Sequence, residues 1–513
     1  MKKILFIFLS FFMLNTASLA KNDTIIIGVE NETPRINPLF DEDHDSALDL
    51  IFSGLTTHDE NMQIVPDLAK SWEISEDRKT YTFELRDDAY WHDGQKFSAE
   101  DVEFTIKTAL DKKLSSPAKA NYEPIDKVEV LSPTKIKITL KTPFEPLLSA
   151  LSIGMLPKHL LDGKDLTTDN YNKAPIGTGP YKLTEWKRGK YLKFEAFDKY
   201  YGGVAKTKNI YMKFVPDFNV ASMQLQKGEL DVALSEPNMA IKLASNPNLK
   251  ILKENSADYR ALMFNMKNEL FKDKNIRIAL SYAVNKDGIV KNVLHGYGSA
   301  ANNPIEKSWA NDKNVPKFNY DPQKAVKILQ DSGWSKNKNG YFEKDGKELK
   351  FGIYAYNTDP LRVSLANIVA SDFQKIGVNA TAYAKPQGSF EIGKVDTFMI
   401  GWGSPFDPDF HTYRIFGGFA DSAIDPNGWN YSHYHDSTVD ETLSKARSLA
   451  KIEDRKVYYS KFLEAIHENP PFIFISYLEF PLVYNAKISG IKPHVLGHHG
   501  GGFAWNVKDW IKE

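Results

Sequence analysis

The sequence predicts an α/β fold divided into two or more lobes. Strand and helix signals alternate along the whole chain, which is the pattern of mixed layered domains. At 513 residues the chain is several times the usual domain size, and no internal repeat or low-complexity tether separates its parts. The start of the chain bears on where it folds. Lys2 and Lys3 precede an apolar run, "ILFIFLSFFML", and small residues follow at Ser18 and Ala20. That order reads as a secretory signal over residues 1–20, because the apolar run is about half of what a bilayer-spanning helix needs.

The elements follow in order. "TIIIGVE" is a short apolar strand, and Ala47, Leu48, Ile51 and Phe52 form a helical stripe just after His44, which lies in an acidic turn. "TYTFEL" alternates as a strand, and after the His92-Asp93-Gly94 turn Ser98 and Asp101 are spaced as a capping box. "KVEVLSPTKIKITLK" reads as a hairpin turning at Ser132-Pro133. Further on, "IRIALSYAVNKDGIVKNVL" has helical spacing and "DPQKAVKILQDSGW" is a helix ended by Gly333. "LKFGIYAYN" and "VDTFMIGWG" read as strands, with the helix "RVSLANIVASDFQKIGV" between them.

Composition removes several function classes. Lys and Arg number 65 against 66 for Asp and Glu, so the basic excess of a nucleic-acid binder is missing. The absence of cysteine excludes disulfides, thiolate metal sites, a cysteine nucleophile and a lipidated N-terminal cysteine. An exported chain without a lipid anchor is kept by a cell with an outer membrane, so the expected location is the periplasm. No nucleophile elbow, Walker loop, dinucleotide fingerprint or H-E-x-x-H occurs, and "GTGPY" lacks the third glycine of a phosphate cradle. An enzyme is therefore not expected, nor a catalytic cofactor. Aromatic residues make up 12% of the chain, which suits a protein that holds small ligands between amphipathic rings.

Five stretches, in order, carry a family resemblance: Pro66 to Ile106, "APIGTGPYKLTEWKRGKYLKFEAFDKYYGG", "IRIALSYAVNKDGIV", "YDPQKAVKILQDSGW" and "GWGSPFDPD". Together they resemble the large periplasmic solute-binding proteins of peptide and nickel ABC transporters. The resemblance implies a two-lobe, Venus-flytrap fold with a ligand cleft between the lobes. It places residues 21–262 and 481–513 in lobe I and 263–480 in lobe II, with hinge crossings near "YRALMFNMKN" and "FIFISYLEFPLVY". The implied partners are a small metal chelate or a peptide and an inner-membrane ABC permease; the chain itself is expected to be a monomer that binds no nucleic acid.

Peptide-binding relatives commonly place an aspartate shortly after the tryptophan of this last motif, where it pairs with the peptide's α-ammonium group. Here Trp402 is followed by Gly403, Ser404, Pro405 and Phe406, and "WGSPFDP" is similar to the nickel-type pattern. Trp402 and Phe406 are then expected to wall the ligand, with Tyr356 as a further wall residue. Arg362, at the start of a helix after Pro360, would hold a carboxylate bidentately; a surface arginine is the alternative. Nickel favours imidazole and N,O surroundings, and a small chelator such as L-histidine would fill most of its coordination positions. The protein then needs few imidazoles, and "GHHGGG" would bring His498 or His499 onto the metal on a loose loop, with His44 as partner. A solvent-exposed polar turn is the other reading of that loop. His433 and His435 are spaced as a chelating pair or lie in a surface loop. Nickel-chelate capture is thus the main expectation, and di- or oligopeptide binding is the alternative.

Overall fold

The structure, a computed structural model, describes residues 23–41, 46–114, 116–425 and 428–513. The segment read as a signal and His44 lie outside the described residues. Among the described residues, no helix is long and apolar enough to cross a membrane.

Two strands organise the molecule. Leu249–Phe264 and Phe472–Asn485 are 16 and 14 residues long and pair antiparallel over most of their length. Near its C-terminal end, Phe472–Asn485 takes Val232–Leu234 on its other edge. From there the sheet continues through Thr24–Val29, Asn209–Phe214, Tyr191–Ala196 and Tyr181–Lys187. At the opposite end, Leu249–Phe264 takes Thr397–Trp402, and the sheet continues through Lys350–Tyr356 to Asn379–Lys385. With Gly298–Ala300 also paired to Phe472–Asn485, one eleven-stranded sheet results, and the long pair is the stretch shared by both of its halves.

Side-chain alternation explains why this pairing has one register. Leu262, Phe264, Met399, Ile473 and Ile475 point into one core, under the helices Lys274–Ala283, Pro322–Asp331 and Pro360–Ile376. Their neighbours Tyr259, Ala261, Met263, Phe398, Ile400, Phe472 and Phe474 point to the other face, against the helices Ser437–Ala446 and Ile452–Glu468. A slip of one residue would exchange the two sets. Each buried side chain of this size contributes roughly 1.5–3 kcal/mol, so the slipped pairing is strongly disfavoured.

A separate large core joins residues from Ile25 to Val232 with Leu482, Ile488, Leu496, Phe503 and Trp510, so both ends of the chain build the same half. A four-stranded antiparallel sheet in that half contains the hairpin Ile125–Ser132 and Lys135–Leu140. The capping box forms as expected at the helix Ala99–Leu110, where the Ser98 N–H donates to Asp101 Oδ2 at 2.9 Å.

One expected element divides. The stretch from Ile276 to Leu294 reads as a single helix, but the structure has Lys274–Ala283 and Lys286–Asn292. Val284 is extended, with φ −89° and ψ 121°. Asn285 then starts the second helix, its side chain accepting the Gly288 N–H at 2.9 Å.

Candidate functional site

The long strand pair is interrupted twice, between Arg260 and Ala261, where Ile475 has no opposite residue, and more widely between Asn255 and Tyr259. Asn255 faces Glu479 and Tyr259 faces Tyr477, so the three residues Ser256 to Asp258 oppose Leu478 alone. Such a bulge re-aims side chains and leaves backbone groups without ladder partners. The C-terminal segment supplies those partners. The Leu496 N–H donates to Asn255 O and the Ala257 N–H to Leu496 O, both at 2.9 Å.

The sequence predicts a loose arm at "GHHGGG", and here the structure corrects it. The His498 N–H donates to Gly403 O at 3.1 Å, Gly497 N–H to Gly501 O at 2.9 Å, and Gly501 N–H to His498 O at 3.1 Å. The glycines serve close turns: Gly500 has φ +78°, and His499 itself sits at φ +53°. Gly403 lies so close to the bulge that a Cβ there would stand 2.0 Å from Ala257 O. The loop is thus fastened to the strand pair and to the segment after Trp402.

The bulge drives Asp258 into the interior. Its side chain is 0% exposed, and it forms an ion pair with Arg260, two residues along the same strand. The carboxylate also takes His498 Nδ1 at 2.9 Å and the His499 N–H at 3.1 Å. Burial opposes its charge, but Arg260 and the His498 contact outweigh burial and hold the carboxyl well below the usual range.

On the other side of His498, Nε2 lies 3.4 Å from Nη2 of Arg362. Arg362 is buried, in the first turn of Pro360–Ile376, where Asp359 caps the helix through the Arg362 N–H at 2.9 Å and lies 3.0 Å from its Nε. Burial, together with the charge of Arg260, pushes the Arg362 guanidinium down to about 10 against the pull of Asp359 and Asp258. Burial likewise pushes the His498 ring down to about 3, against the pull of Asp258. At neutral pH the site therefore holds a neutral imidazole beside a charged guanidinium. Among the described residues, no group of three or more histidines and carboxylates is placed to hold a metal by itself.

The aromatic residues form two groups. Trp402 lies within 12° of parallel to Trp429 and Tyr431, with ring centres 6.4 and 6.2 Å away, and the Arg414 guanidinium lies 4.1 Å over Trp429. Tyr356 packs on Phe390 and Phe398, with ring centres 5.3 and 5.1 Å away. Phe406 lies 4.5 Å from the ring of His58, a contact to the half built from the chain ends. The two aspartates that follow it are committed elsewhere. Asp407 is held bidentately by Arg455 at 2.6 and 2.7 Å, and Asp409 by Arg447 at 2.9 Å.

Of the residues singled out in the sequence, the structure brings Arg362, His498 and His499 together and links them to Trp402 through Gly403. Tyr356 lies near enough to Arg362 for the two to feel each other's charge, Phe406 stands in a separate contact, and His44 lies outside the described residues. His433 and His435 are not a chelating pair; both bind Asp421, at 2.6 and 2.9 Å, and His433 Nε2 also faces Gly393 O at 2.8 Å. Sequence reading missed Asp258, Arg260, Trp429 and Tyr431. The signal for the first two was present: an aspartate and an arginine two apart, on one face of the apolar run "SADYRALMF", require partners inside a core.

Residues 63–423 match the model of the bacterial extracellular solute-binding proteins, family 5. The solved structure of NikZ from Campylobacter jejuni in complex with Ni(L-His) is 54% identical, covers 96% of this chain and 100% of that one, and superposes with a TM-score of 0.90. The oligopeptide-binding protein AppA of Bacillus subtilis is 30% identical over 95% of this chain and 91% of its own length. The nickel-binding periplasmic protein of Escherichia coli is 27% identical over 89% of each chain. With a family model spanning most of its length, and a fold and sequence that follow these relatives end to end, the chain belongs to the family 5 bacterial extracellular solute-binding proteins.

Proposed function

We propose that the protein is the solute-capturing component of an ABC importer, that its cargo is nickel carried as a small chelate such as nickel-histidine, and that it hands this cargo to an inner-membrane permease. The observation that carries this reading is the neutral His498 ring beside the buried Arg362 guanidinium. An imidazole is a good ligand for nickel, and a guanidinium fits the carboxylate of an amino-acid chelator. The 54% identity to a protein solved with Ni(L-His) supports the same cargo.

In this reading His498, His499 and His44 are the protein's candidate metal ligands, Arg362 holds the carboxylate, and Trp402, Phe406 and Tyr356 wall the chelate. Residues 21–262 and 481–513 form one lobe and 263–480 the other; the separate core built from both chain ends supports that division. The protein works in the periplasm after loss of residues 1–20, as a monomer and without a catalytic cofactor. Commitment of Asp407 and Asp409 to arginines argues against a carboxylate near Trp402 for a peptide ammonium group, which is why we place the peptide reading second.

Calorimetric titration of the metal-stripped mature protein tests this. Nickel with about two equivalents of L-histidine should bind tightly, nickel alone weakly, and di- to pentapeptides not at all. Tight peptide binding with no response to nickel-histidine would return the protein to the peptide-binding members of its family.

A further inference from the structure

We propose that Asp258 is the positioning residue of the metal-capturing arm: its buried carboxylate fixes His498 as the Nδ1–H tautomer, so that Nε2 is the nitrogen offered to the nickel chelate. This rests on the functional reading above and adds to it a residue that touches neither metal nor chelator.

The argument is one of donors and acceptors. Asp258, ion-paired with Arg260 and fully buried, can only accept. The His498 Nδ1 standing 2.9 Å from it must therefore carry the proton. At the other end of the ring, Nε2 faces Arg362 Nη2 at 3.4 Å, and a guanidinium can only donate. One tautomer satisfies both ends. The opposite tautomer would set a lone pair against the carboxylate and an N–H against an N–H, and an imidazolium would repeat the second clash.

Asp258 is itself immobilised. Its own N–H donates to Ser256 Oγ at 3.2 Å, and Ser256 Oγ donates to Leu478 O at 2.7 Å across the bulge. Its second oxygen takes the His499 N–H, which fixes the main chain between the two histidines. A carboxylate behind a ligating histidine sets ring orientation and raises ligand basicity, and its loss commonly costs 10–100-fold in metal affinity.

The contact to Arg362 adds a requirement on the cargo. For Nε2 to take a metal, the Arg362 N–H facing it has to move to another acceptor. A chelate carrying a carboxylate provides that acceptor, whereas an aqua ion would set a dication beside Arg362 and Arg260.

The test has two arms. First, the metal-free wild-type protein, labelled with ¹⁵N-histidine, is examined by long-range ¹H–¹⁵N correlation, with His498→Ala assigning the ring. A pyrrole-type Nδ1 and a pyridine-type Nε2 support the proposal, and the reverse tautomer overturns it whatever the protein binds. Second, Asp258→Asn is titrated with nickel plus L-histidine. The proposal expects the single tautomer to be lost and the affinity to fall 10–100-fold. A folded variant that binds as tightly as wild type overturns it. Should Asp258→Asn fail to fold, the wild-type spectrum still decides. Failure of the functional reading is a different result: wild type would not bind nickel-histidine at all, while the tautomer would remain as measured.

Discussion

At the scale of single residues, Arg362 combines burial with charge, and that combination is costly unless an anion repays it. Asp359 repays part of it. Arg362→Ala should weaken nickel-histidine binding by about 10-fold or more, the worth of a charge-assisted hydrogen bond, while binding of nickel alone is not weakened. Arg362→Lys should restore little, because an ammonium lacks the two-pronged geometry; calorimetry on the three proteins checks both expectations. Glu254 makes a separate prediction. It is 2% exposed, and burial, opposed by the His494 N–H, pushes its carboxyl up from 4.5 to about 7. A carboxyl raised by folding favours the folded state when protonated. Its contribution is complete below the unfolded value of 4.5 and is lost as pH rises through about 7. Glu254→Gln keeps a neutral side chain, so relative to wild type it should gain roughly 1–3 kcal/mol at about pH 8 and much less at about pH 5, read from urea unfolding at both values. Arg362 and the two histidines could be singled out in the sequence because their types suit the proposed chemistry, and the structure shows that they stand together. Asp258 was not singled out, because its role depends on a bulge that brings residue 258 beside residue 498, and periodicity in one segment carries no record of that distance.

At the scale of elements, the segment after Trp402 and the bulge of Leu249–Phe264 are fitted to each other through Gly403. Any side chain at this position collides with Ala257 O. Gly403→Ala should therefore push the two apart, loosen the His498 N–H to Gly403 O bond, and weaken nickel-histidine binding together with thermal stability, by about 2 kcal/mol or more in unfolding free energy. Wild-type affinity in this variant would show that the bulge and the histidine loop are independent. The strands and helices themselves were largely legible, since alternation and 3.6-residue spacing are local properties. The division of the stretch from Ile276 to Leu294 into two helices was less so, although Asn285 followed by Gly288 is a start signal in retrospect. The histidine loop was misjudged for a related reason: glycines read as looseness in isolation, and as tight turns once Leu234 and Phe480 pack against Gly500 and Gly403 accepts the His498 N–H.

At the scale of the whole molecule, the family fold implies that ligand is trapped as the two lobes close about their shared strands. Nickel-histidine at about 100 times its dissociation constant should then stabilise the protein by about 2.7 kcal/mol and reduce its radius of gyration in small-angle scattering, and nickel alone should do neither. A rise in stability with no change in radius would mean that the free protein is already closed. The two-lobe plan was legible from five motifs in family order; the single sheet through both halves was not, because strand pairing between residues hundreds of positions apart leaves no local trace. That sheet also constrains how the chain acquires its structure. Phe472–Asn485 lies between Leu249–Phe264 on one edge and Val232–Leu234 on the other, so until it arrives both partners present bare edges. A chain emerging in order must carry those exposed strands through more than two hundred further residues, a long interval in which edge-to-edge aggregation competes with completion. Assembly is in this sense gated by one of the last strands to be made, and a chain cut before Phe472 would be expected to aggregate rather than persist as a stable half.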